Sequence, residues 1–429
     1  MTARRTILIL TLFWLTAGSS FGQVKFKPPR EPDYDHFVMG VYIASHESVL
    51  DVPMSKVFSD FAARGVEIAW VNQFNYYPLA KKKKLNQYAK ANGLQLLVQM
   101  FHRPEEDYKL TDEELSRKIR SQVDQLNAMP DSDVVVGWGI GDEIENHYLK
   151  GEHRQQRRER GEKQHQRFSR LLRQIDQERR VTINHDGADW IAGHEDEPYC
   201  STQWTGRFNN YRVRERIAEA QRLGYENYFL VSQAASCSRG ESNLRWFGFR
   251  KPVNDAVLDS RTVAEEVQDY AETAYLEGST GCMYFLYWAG GANYQGYTLT
   301  DIRGDDYQGK WDAVLKAMKN IRKWEGAPLC EIRRPARNSW VTGSFEVSVE
   351  AEAPEGDPVS VVRADYSTDG CLTWKHLPDA KTAPYRFVLD LDDVDAAGAK
   401  PISCWIRARA VNKRGPSLWD VIEVKIRRK

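Results

Sequence analysis

One stretch of the chain decides its fold: Val134-Val-Val-Gly-Trp-Gly-Ile-Gly-Asp-Glu-Ile-Glu-Asn-His147. Its first half is apolar and β-branched and carries glycines, which is typical of a strand buried on both faces. Asp142 and Glu143 follow directly, so two carboxylates are expected at the carboxyl end of a core strand, where parallel α/β proteins bind ligands. Glu143 is expected nearer the barrel axis if side-chain alternation holds. The alternative for Asp142 is a helix N-cap, for which Asp is a preferred residue.

Similar apolar runs recur along the first three quarters of the chain, with helical patterns between most of them. Eight strands alternating with helices predict a parallel sheet with right-handed crossovers. About 300 residues fit a (β/α)8 TIM barrel. A doubly wound open sheet is the alternative, but no Gly-x-Gly-x-x-Gly or Walker loop follows the first strand. The predicted strands are Phe37–Ile43, Val66–Asn72, Leu94–Met100, Val134–Ile140, Val181–His185, Tyr199–Trp204, Tyr228–Gln233 and Gly281–Trp288.

The pattern changes near Gly326, and alternating strands separated by turn sequences take over. Short strands at this spacing in about 100 residues predict an antiparallel β-sandwich. We therefore expect a signal peptide at residues 1–22, a barrel at residues 23–327 and a sandwich at residues 328–429. Trp374 and Trp405 are expected in the core of the sandwich.

The signal peptide is indicated by Arg4 and Arg5, which precede an apolar run (residues 7–17) and small residues at the expected cleavage site before Gln23. The run is shorter than the ~20 residues of a membrane span. We therefore expect export to the periplasm or the cell exterior, without a membrane span. Lys+Arg and Asp+Glu both total 60, which argues against a nucleic-acid partner. The oligomeric state is left open.

The six cysteines are expected to face an oxidising compartment after export. They form no Cys-x-x-Cys pair, which argues against a zinc ribbon and against thioredoxin chemistry. Cys371 and Cys404 fall in the predicted sandwich and are candidates for a disulfide. Free buried thiols are the alternative.

Polar and aromatic residues accumulate where the predicted strands end. A barrel assembles its site from these strand ends. The accumulation therefore predicts a polar cleft with aromatic walls, which suits sugar hydroxyls and the faces of sugar rings. The residues predicted to position a substrate are Asp142, His102, Gln203, Trp204, Gln233 and Trp288.

Two motifs carry a resemblance to a known family: Gly137-Trp-Gly-Ile-Gly-Asp-Glu143 at strand 4 and Tyr284-Phe-Leu-Tyr-Trp288 at strand 8. Together they resemble the (β/α)8 glycoside hydrolases of clan A, in which an Asn-Glu pair ends strand 4 and its Glu is the general acid/base. Asp142 stands at the Asn position and Glu143 at the Glu position. The resemblance implies cleavage of glycosidic bonds by Glu143, with its pKa raised by burial or by a neighbouring negative charge. It implies no cofactor.

The chain departs from that clan at strand 7, where the nucleophilic Glu is expected and the sequence has Gln233. Either the second carboxylate comes from elsewhere, Asp186 first and Glu241 next, or the mechanism is inverting, with carboxyls about 6.5–9.5 Å apart. The third reading is that the barrel binds sugar without cleaving it. We predict a secreted glycoside hydrolase with Glu143 and Asp186 as catalytic residues, retaining or inverting. The alternative is a non-catalytic carbohydrate-binding surface protein.

Other chemistries find less support, because the sequence contains no HExxH, GxSxG or P-loop motif. Asp142, Glu143, His185 and Asp186 are residue types that ligate divalent metals, but any barrel offers such sets in its loops, and no metal is expected. In the C-terminal region, Asp365-Tyr-Ser-Thr-Asp-Gly-Cys-Leu-Thr-Trp374 resembles bacterial immunoglobulin-like modules appended to secreted carbohydrate-active enzymes. That resemblance implies a sandwich fold and no chemistry. Structural display through the sandwich is the third functional possibility.

Overall fold

The structure, a computed structural model, describes residues 36–43, 53–71, 74–100, 104–142, 154–185, 197–201, 217–218, 220–222, 228–233, 264–285, 299, 309–390 and 402–427. The predicted signal peptide lies outside these residues. Within them, no helix is both long enough and apolar enough to cross a membrane.

The first region is an α/β barrel of the TIM-barrel type. Eight parallel strands close into a ring in the order in which they occur along the chain, and β8 pairs with β1. This confirms the barrel part of the predicted fold. The strands are β1 (Val38–Ile43), β2 (Val66–Val71), β3 (Gln95–Gln99), β4 (Val135–Asp142), β5 (Arg180–His185), β6 (Glu197–Ser201), β7 (Phe229–Gln233) and β8 (Gly281–Phe285).

The helices between the strands pack their apolar faces on the outside of the barrel. One continuous apolar cluster joins the outward-facing side chains of the strands to this helix layer, as the hydrophobic effect requires of two packed layers. The helices are α1 (Met54–Ala63), α2 (Leu79–Asn92), α3 (Pro104–Asp107), α4 (Asp112–Asn127), α5 (Arg154–Ile175), α6 (Ala264–Leu276) and α7 (Lys310–Trp324).

The second region begins five residues after α7 and consists of two β-sheets around a separate apolar core. One sheet has the order β10-β17-β15-β12-β13, with β16 paired to β15, and the other has the order β14-β11-β9. The pairing is antiparallel except between β10 and β17. The strands are β9 (Leu329–Arg334), β10 (Trp340–Val341), β11 (Phe345–Glu352), β12 (Val361–Ser367), β13 (Lys375–His376), β14 (Tyr385–Leu389), β15 (Ile402–Asn412), β16 (Gly415–Pro416) and β17 (Asp420–Ile426).

The sandwich packs directly on the helix layer of the barrel. Leu418 contacts the core of the barrel region beside Gly65, at the end of α1. The expectation that Trp374 and Trp405 lie in the sandwich core is wrong. The indole N–H of Trp374 donates to Oδ1 of Asn92 in α2 at 3.1 Å, and neither tryptophan belongs to the apolar core of the sandwich. Both rings face the barrel instead.

Four cysteines whose side chains the structure describes are free thiols: Cys282, Cys330, Cys371 and Cys404. Cys371 and Cys404 are both buried and are not bonded to each other, so of the two alternatives left open for this pair the free buried thiols are confirmed. Burial raises the pKa of the Cys371 thiol to about 11 and that of the Cys404 thiol to about 12. These thiols are therefore protonated at neutral pH and behave as small apolar side chains.

Candidate active site at the carboxyl ends of the barrel strands

Strand β4 places the first predicted carboxylate, Asp142, at its carboxyl end. Gly137 and Gly139 of this strand face the barrel interior. A Cβ on Gly137 would lie 2.6 Å from Leu97 Cδ2, and a Cβ on Gly139 would lie 2.7 Å from Trp70 Cζ2. The two glycines therefore leave room for large side chains from β2 and β3 below the end of β4.

A β-bulge interrupts β4 close to its end. Its pairing with β5 shifts between Gly139 and Gly141, and beyond the shift Asp142 pairs with Asn184. Bulges at barrel rims change the direction of the residues that follow, because one strand contains an extra residue. The expectation that Glu143 lies nearer the barrel axis assumed unbroken alternation along β4, and the bulge removes that assumption.

The backbone register brings the ends of the other strands to the same rim. Across β5 and β6, Asn184 pairs with Tyr199. Across β7 and β8, Gln233 pairs with Phe285. Asp142 and Gln233 are thus the last residues of their strands and lie at the same end of the barrel. Their predicted roles in positioning a substrate stay predictions.

An apolar plug fills the barrel interior below this rim. The rings of Tyr42 and Trp70 stack with their centroids 4.8 Å apart and their planes 16° apart. A ligand at the strand ends therefore meets a closed floor rather than a channel, which is usual for eight-stranded barrels. The plug consists of Val38, Tyr42, Ile68, Trp70, Leu97, Phe229, Val231 and Met283.

Gln99, the last residue of β3, lies between the plug and the rim and was not among the predicted site residues. Its Oε1 lies 3.1 Å from the Cβ position of Gly139, is buried, and finds no hydrogen-bond donor among the described residues. A buried acceptor requires a donor. Two-residue alternation from Leu97 indicates that Gln99 faces the interior, whereas the site residue predicted for this strand, His102, lies beyond its end.

Eight residues are predicted for the site. Six of them lie outside the described residues: Glu143, Asp186, His102, Gln203, Trp204 and Trp288. Among the residues that the structure does describe, no group of three or more His, Cys, Asp or Glu side chains is arranged to hold a metal ion.

The described part of the strand-8 motif belongs to the core rather than to the cleft. The ring of Tyr284 lies 6.1 Å from that of Tyr270 in α6, and its hydroxyl donates to the carbonyl oxygen of Val267. Burial raises the pKa of Tyr284 well above its ordinary value. Because Tyr284 packs on the helix layer, only the later residues of the motif remain as candidates for the cleft wall.

No family model and no curated protein matches the chain. Among solved structures it is similar to the polyextremophilic β-galactosidase from the Antarctic haloarchaeon Halorubrum lacusprofundi, with 12% identity and a TM-score of 0.50, over 71% of this chain and 60% of that chain. It is also similar to the endo-β-1,4-mannanase from Thermotoga petrophila, with 11% identity and a TM-score of 0.48, over 92% of this chain and 99% of that chain. A β-glucuronidase from Bacteroides uniformis matches with 12% identity and a TM-score of 0.46, over 92% of this chain.

The chain spans 46% of the length of that glucuronidase. All three proteins are glycoside hydrolases by name. Of the three, only the β-galactosidase has a TM-score that reaches 0.50; at 12% identity that likeness concerns the fold alone, and at that level it confirms the predicted resemblance to glycoside hydrolase barrels.

Proposed function

We propose that the chain is a secreted glycoside hydrolase that cleaves O-glycosyl bonds of a poly- or oligosaccharide. The observation that carries the proposal is a closed eight-stranded barrel whose fourth strand ends at Asp142, one residue before Glu143, above a sealed apolar floor. In barrels the chemistry occurs at this rim because the loops that follow the strands converge there.

In the proposed mechanism Glu143 is the general acid that protonates the glycosidic oxygen. A carboxyl group can donate this proton near neutral pH when burial or a nearby negative charge raises its pKa. Asp142 and Glu145, which flank it closely in the sequence, are proposed to supply such a charge. The aromatic and amide residues predicted at the rim, Trp204, Trp288 and Gln203, are proposed to hold the sugar.

The second carboxylate is proposed to be Asp186, which follows β5. Asp142 pairs in register with Asn184, so the end of β5, which Asp186 follows in the sequence, lies beside the end of β4. Whether the enzyme retains or inverts the anomeric configuration depends on the distance between the two carboxyl groups. The sandwich is proposed to be an immunoglobulin-like accessory module, and residues 1–22 are proposed to direct export to the periplasm or the cell exterior.

The proposal is tested by replacing Glu143, the proposed general acid. Wild-type protein should release new reducing ends from at least one glycan in a panel of plant, algal and bacterial polysaccharides. General acid catalysis contributes about 10²–10⁴-fold, so Glu143→Gln should lose at least ~10²-fold in kcat. Glu113→Gln, at an exposed position in α4, is the control and should keep full activity. Equal rates for Glu143→Gln and wild type would reject the assignment.

A second candidate function is favoured by one observation, the Gln233 that ends β7. A barrel that lacks the strand-7 carboxylate can bind a glycan without cleaving it. Saturable binding of a polysaccharide by wild-type protein, without new reducing ends, would support this function over hydrolysis.

A further inference from the structure

A cavity of about 620 Å³ lies between the barrel and the sandwich. Its walls come from α1 and α7 on one side and from β9, β17 and the neighbouring loops on the other. Ligand sites have volumes of about 300–1,000 Å³ and occur preferentially at domain interfaces. None of the residues that line this cavity belongs to the carboxyl end of a barrel strand, so the cavity is separate from the candidate active site.

The acidic side chains of this interface cavity already have partners. The carboxylate of Asp60 accepts from the indole N–H of Trp311 at 2.5 Å, and that of Asp312 pairs with Arg64 at 2.8 Å. The other two acidic residues of the lining accept from neutral donors and keep their negative charge: Asp420 from the backbone N–H of Ile332 and Glu423 from the hydroxyl of Ser403.

Three cationic side chains of the same lining have no acidic partner among the described residues: Lys56 of α1, Lys319 of α7 and Arg337 of the loop between β9 and β10. Each is exposed. They come from three separate elements and converge on one cavity. The whole lining holds five cationic and four acidic side chains, a net charge of +1, so the three cations without an acidic partner are the positions at which an anionic group of a ligand can bind.

Two tryptophans add flat apolar surface beside these charges. The ammonium of Lys56 lies 5.2 Å from the ring centroid of Trp405. The guanidinium groups of Arg407 and Arg409 lie 4.4 Å and 4.3 Å from the ring centroid of Trp419 and hold that ring in place. Lys56 covers one face of the Trp405 ring, and the opposite face of an aromatic ring held in this way suits the C–H face of a sugar. The pairing of these rings with unpartnered cations selects sugars that carry an anionic group.

We propose that this interface cavity is a second carbohydrate site, which binds an oligosaccharide that carries carboxylate groups. Lys319 and Arg337 bind the carboxylates, and Trp405 supports the sugar ring beside Lys56. The ligand class rests on the function proposed above, because carbohydrate is the substrate proposed there. The site itself is independent of catalysis. It would hold an acidic glycan on the flank of the enzyme while the barrel rim acts on it.

The test is calorimetric titration with two disaccharides that differ only in the group at C6 of each sugar, which is charged in one and neutral in the other. Digalacturonate carries a carboxylate where its neutral counterpart, the disaccharide of two galactose residues, carries a hydroxymethyl group. Wild-type protein should bind digalacturonate with saturation and the neutral sugar at least ~10-fold more weakly, since hydrogen bonds to charged groups are the stronger kind. The affinity should fall as ionic strength rises from about 0.01 M to about 0.15 M, because the Debye length shortens from about 30 Å to about 8 Å.

Matched variants locate the binding. The double variant Lys319→Ala/Arg337→Ala should weaken digalacturonate binding by at least ~10-fold, because it removes two charge-assisted contacts. Lys316→Ala/Lys323→Ala removes two exposed lysines of the same helix that do not line the cavity, and it should bind as wild type does. Equal losses in both double variants, equal binding of the neutral sugar, or no saturable binding would overturn the proposal. Inorganic sulfate that binds as tightly as digalacturonate would reduce the site to an anion site and would also overturn it.

Glu143→Gln separates this inference from the proposed function. The variant should bind digalacturonate at the cavity as wild type does. If it loses the binding, the acidic sugar sits at the barrel rim and the cavity proposal fails. If wild type binds digalacturonate at the cavity but cleaves no glycan, the proposed hydrolysis fails while the second site stands.

Discussion

His376 gives the sandwich a contact that depends on pH. Its Nδ1 lies 2.7 Å from Oδ1 of Asp365, and its Nε2 lies 2.9 Å from Oδ1 of Asp379. The hydrogen bond to Asp365 raises the pKa of His376, and Asp379 raises it further, although the side chain is half exposed. Arg407 shares the Asp365 carboxylate at 2.7 Å, so protonated His376 adds a second positive partner to one anion.

The raised pKa sets the direction of the pH dependence. A group whose pKa is higher in the folded than in the unfolded state stabilises the fold fully below its unfolded pKa of about 6.5, and the stabilisation disappears as pH rises through the folded pKa. We predict that the free energy of unfolding decreases between about pH 6 and about pH 8.5, and that the decrease is smaller in His376→Gln. Denaturant titration of wild type and His376→Gln at both pH values measures this decrease in the free energy of unfolding. Identical pH dependence in the two proteins would contradict the assignment.

Gly139 shows how one missing side chain shapes the site. A Cβ at this position would lie 2.7 Å from Trp70 Cζ2 and 3.1 Å from Gln99 Oε1. We predict that Gly139→Ala lowers the free energy of unfolding by about 1–3 kcal/mol, the usual cost of overpacking a core. Trp70→Phe removes the clashing atom, so combining it with Gly139→Ala should cost less than the sum of the two single changes. Additive losses in denaturant titration would show that the two side chains do not collide.

At the scale of elements, helix α4 is defined by its first turn. Thr111 Oγ1 accepts from the backbone N–H of Glu114 at 3.2 Å, and Glu114 Oε2 accepts from the N–H of Thr111 at 2.8 Å. This capping box satisfies two donors that a helix end leaves open. We predict that Thr111→Ala lowers the free energy of unfolding by about 1 kcal/mol, whereas Thr111→Ser, which keeps the hydroxyl, is close to wild type. Thermal or denaturant unfolding of the three proteins decides this.

Elements with a clear apolar period were predicted closely from the sequence. The apolar period over Met54–Ala63 predicts a helix with the bounds that α1 has, and the predicted strand Val181–His185 is β5 apart from its first residue. Strand β9 was missed, because Leu329–Arg334 has only one buried residue and three charged residues and so lacks an apolar pattern. Strand β4 extends two residues beyond its predicted end through the bulge, which depends on pairing with β5 rather than on the residues of β4 alone.

The candidate site was predictable in its position but not in its inner surface. Parallel strands place their carboxyl ends at one rim, so Asp142 and Gln233 follow from the strand pattern alone. To predict Gln99 as a residue of the site, one has to know which face of β3 points to the barrel interior. Its contact with the Cβ position of Gly139 depends on the pairing of β3 with β4 and on the absence of a side chain there, which tertiary structure decides.

At the scale of the whole molecule, the contact between barrel and sandwich was not predictable from either part. Trp374 follows a turn sequence and is a large aromatic residue of the kind that is common in cores. Its indole N–H nevertheless donates to Asn92, 282 positions earlier in the chain. Asn412 likewise donates to the carbonyl oxygen of Gly326 at 2.9 Å. Such contacts join residues that are far apart in the chain, and no local sequence pattern indicates that they meet. They make the sandwich a rigid part of the molecule rather than a tethered module, and the interface cavity depends on that rigidity.

This rigidity predicts that the two regions unfold together. Asn92 is 3% exposed, and its Nδ2 donates to the carbonyl oxygens of Tyr88 at 2.9 Å and Cys371 at 3.4 Å. Trp374→Phe keeps an aromatic ring but removes the N–H that donates to Asn92 Oδ1. A buried acceptor left without its donor lowers the free energy of unfolding by about 1–3 kcal/mol. Calorimetry should therefore show one transition that moves to lower temperature. Trp340→Phe, at an exposed sandwich edge, should leave it unchanged. Two transitions of which only one moves would mean that barrel and sandwich are thermodynamically independent.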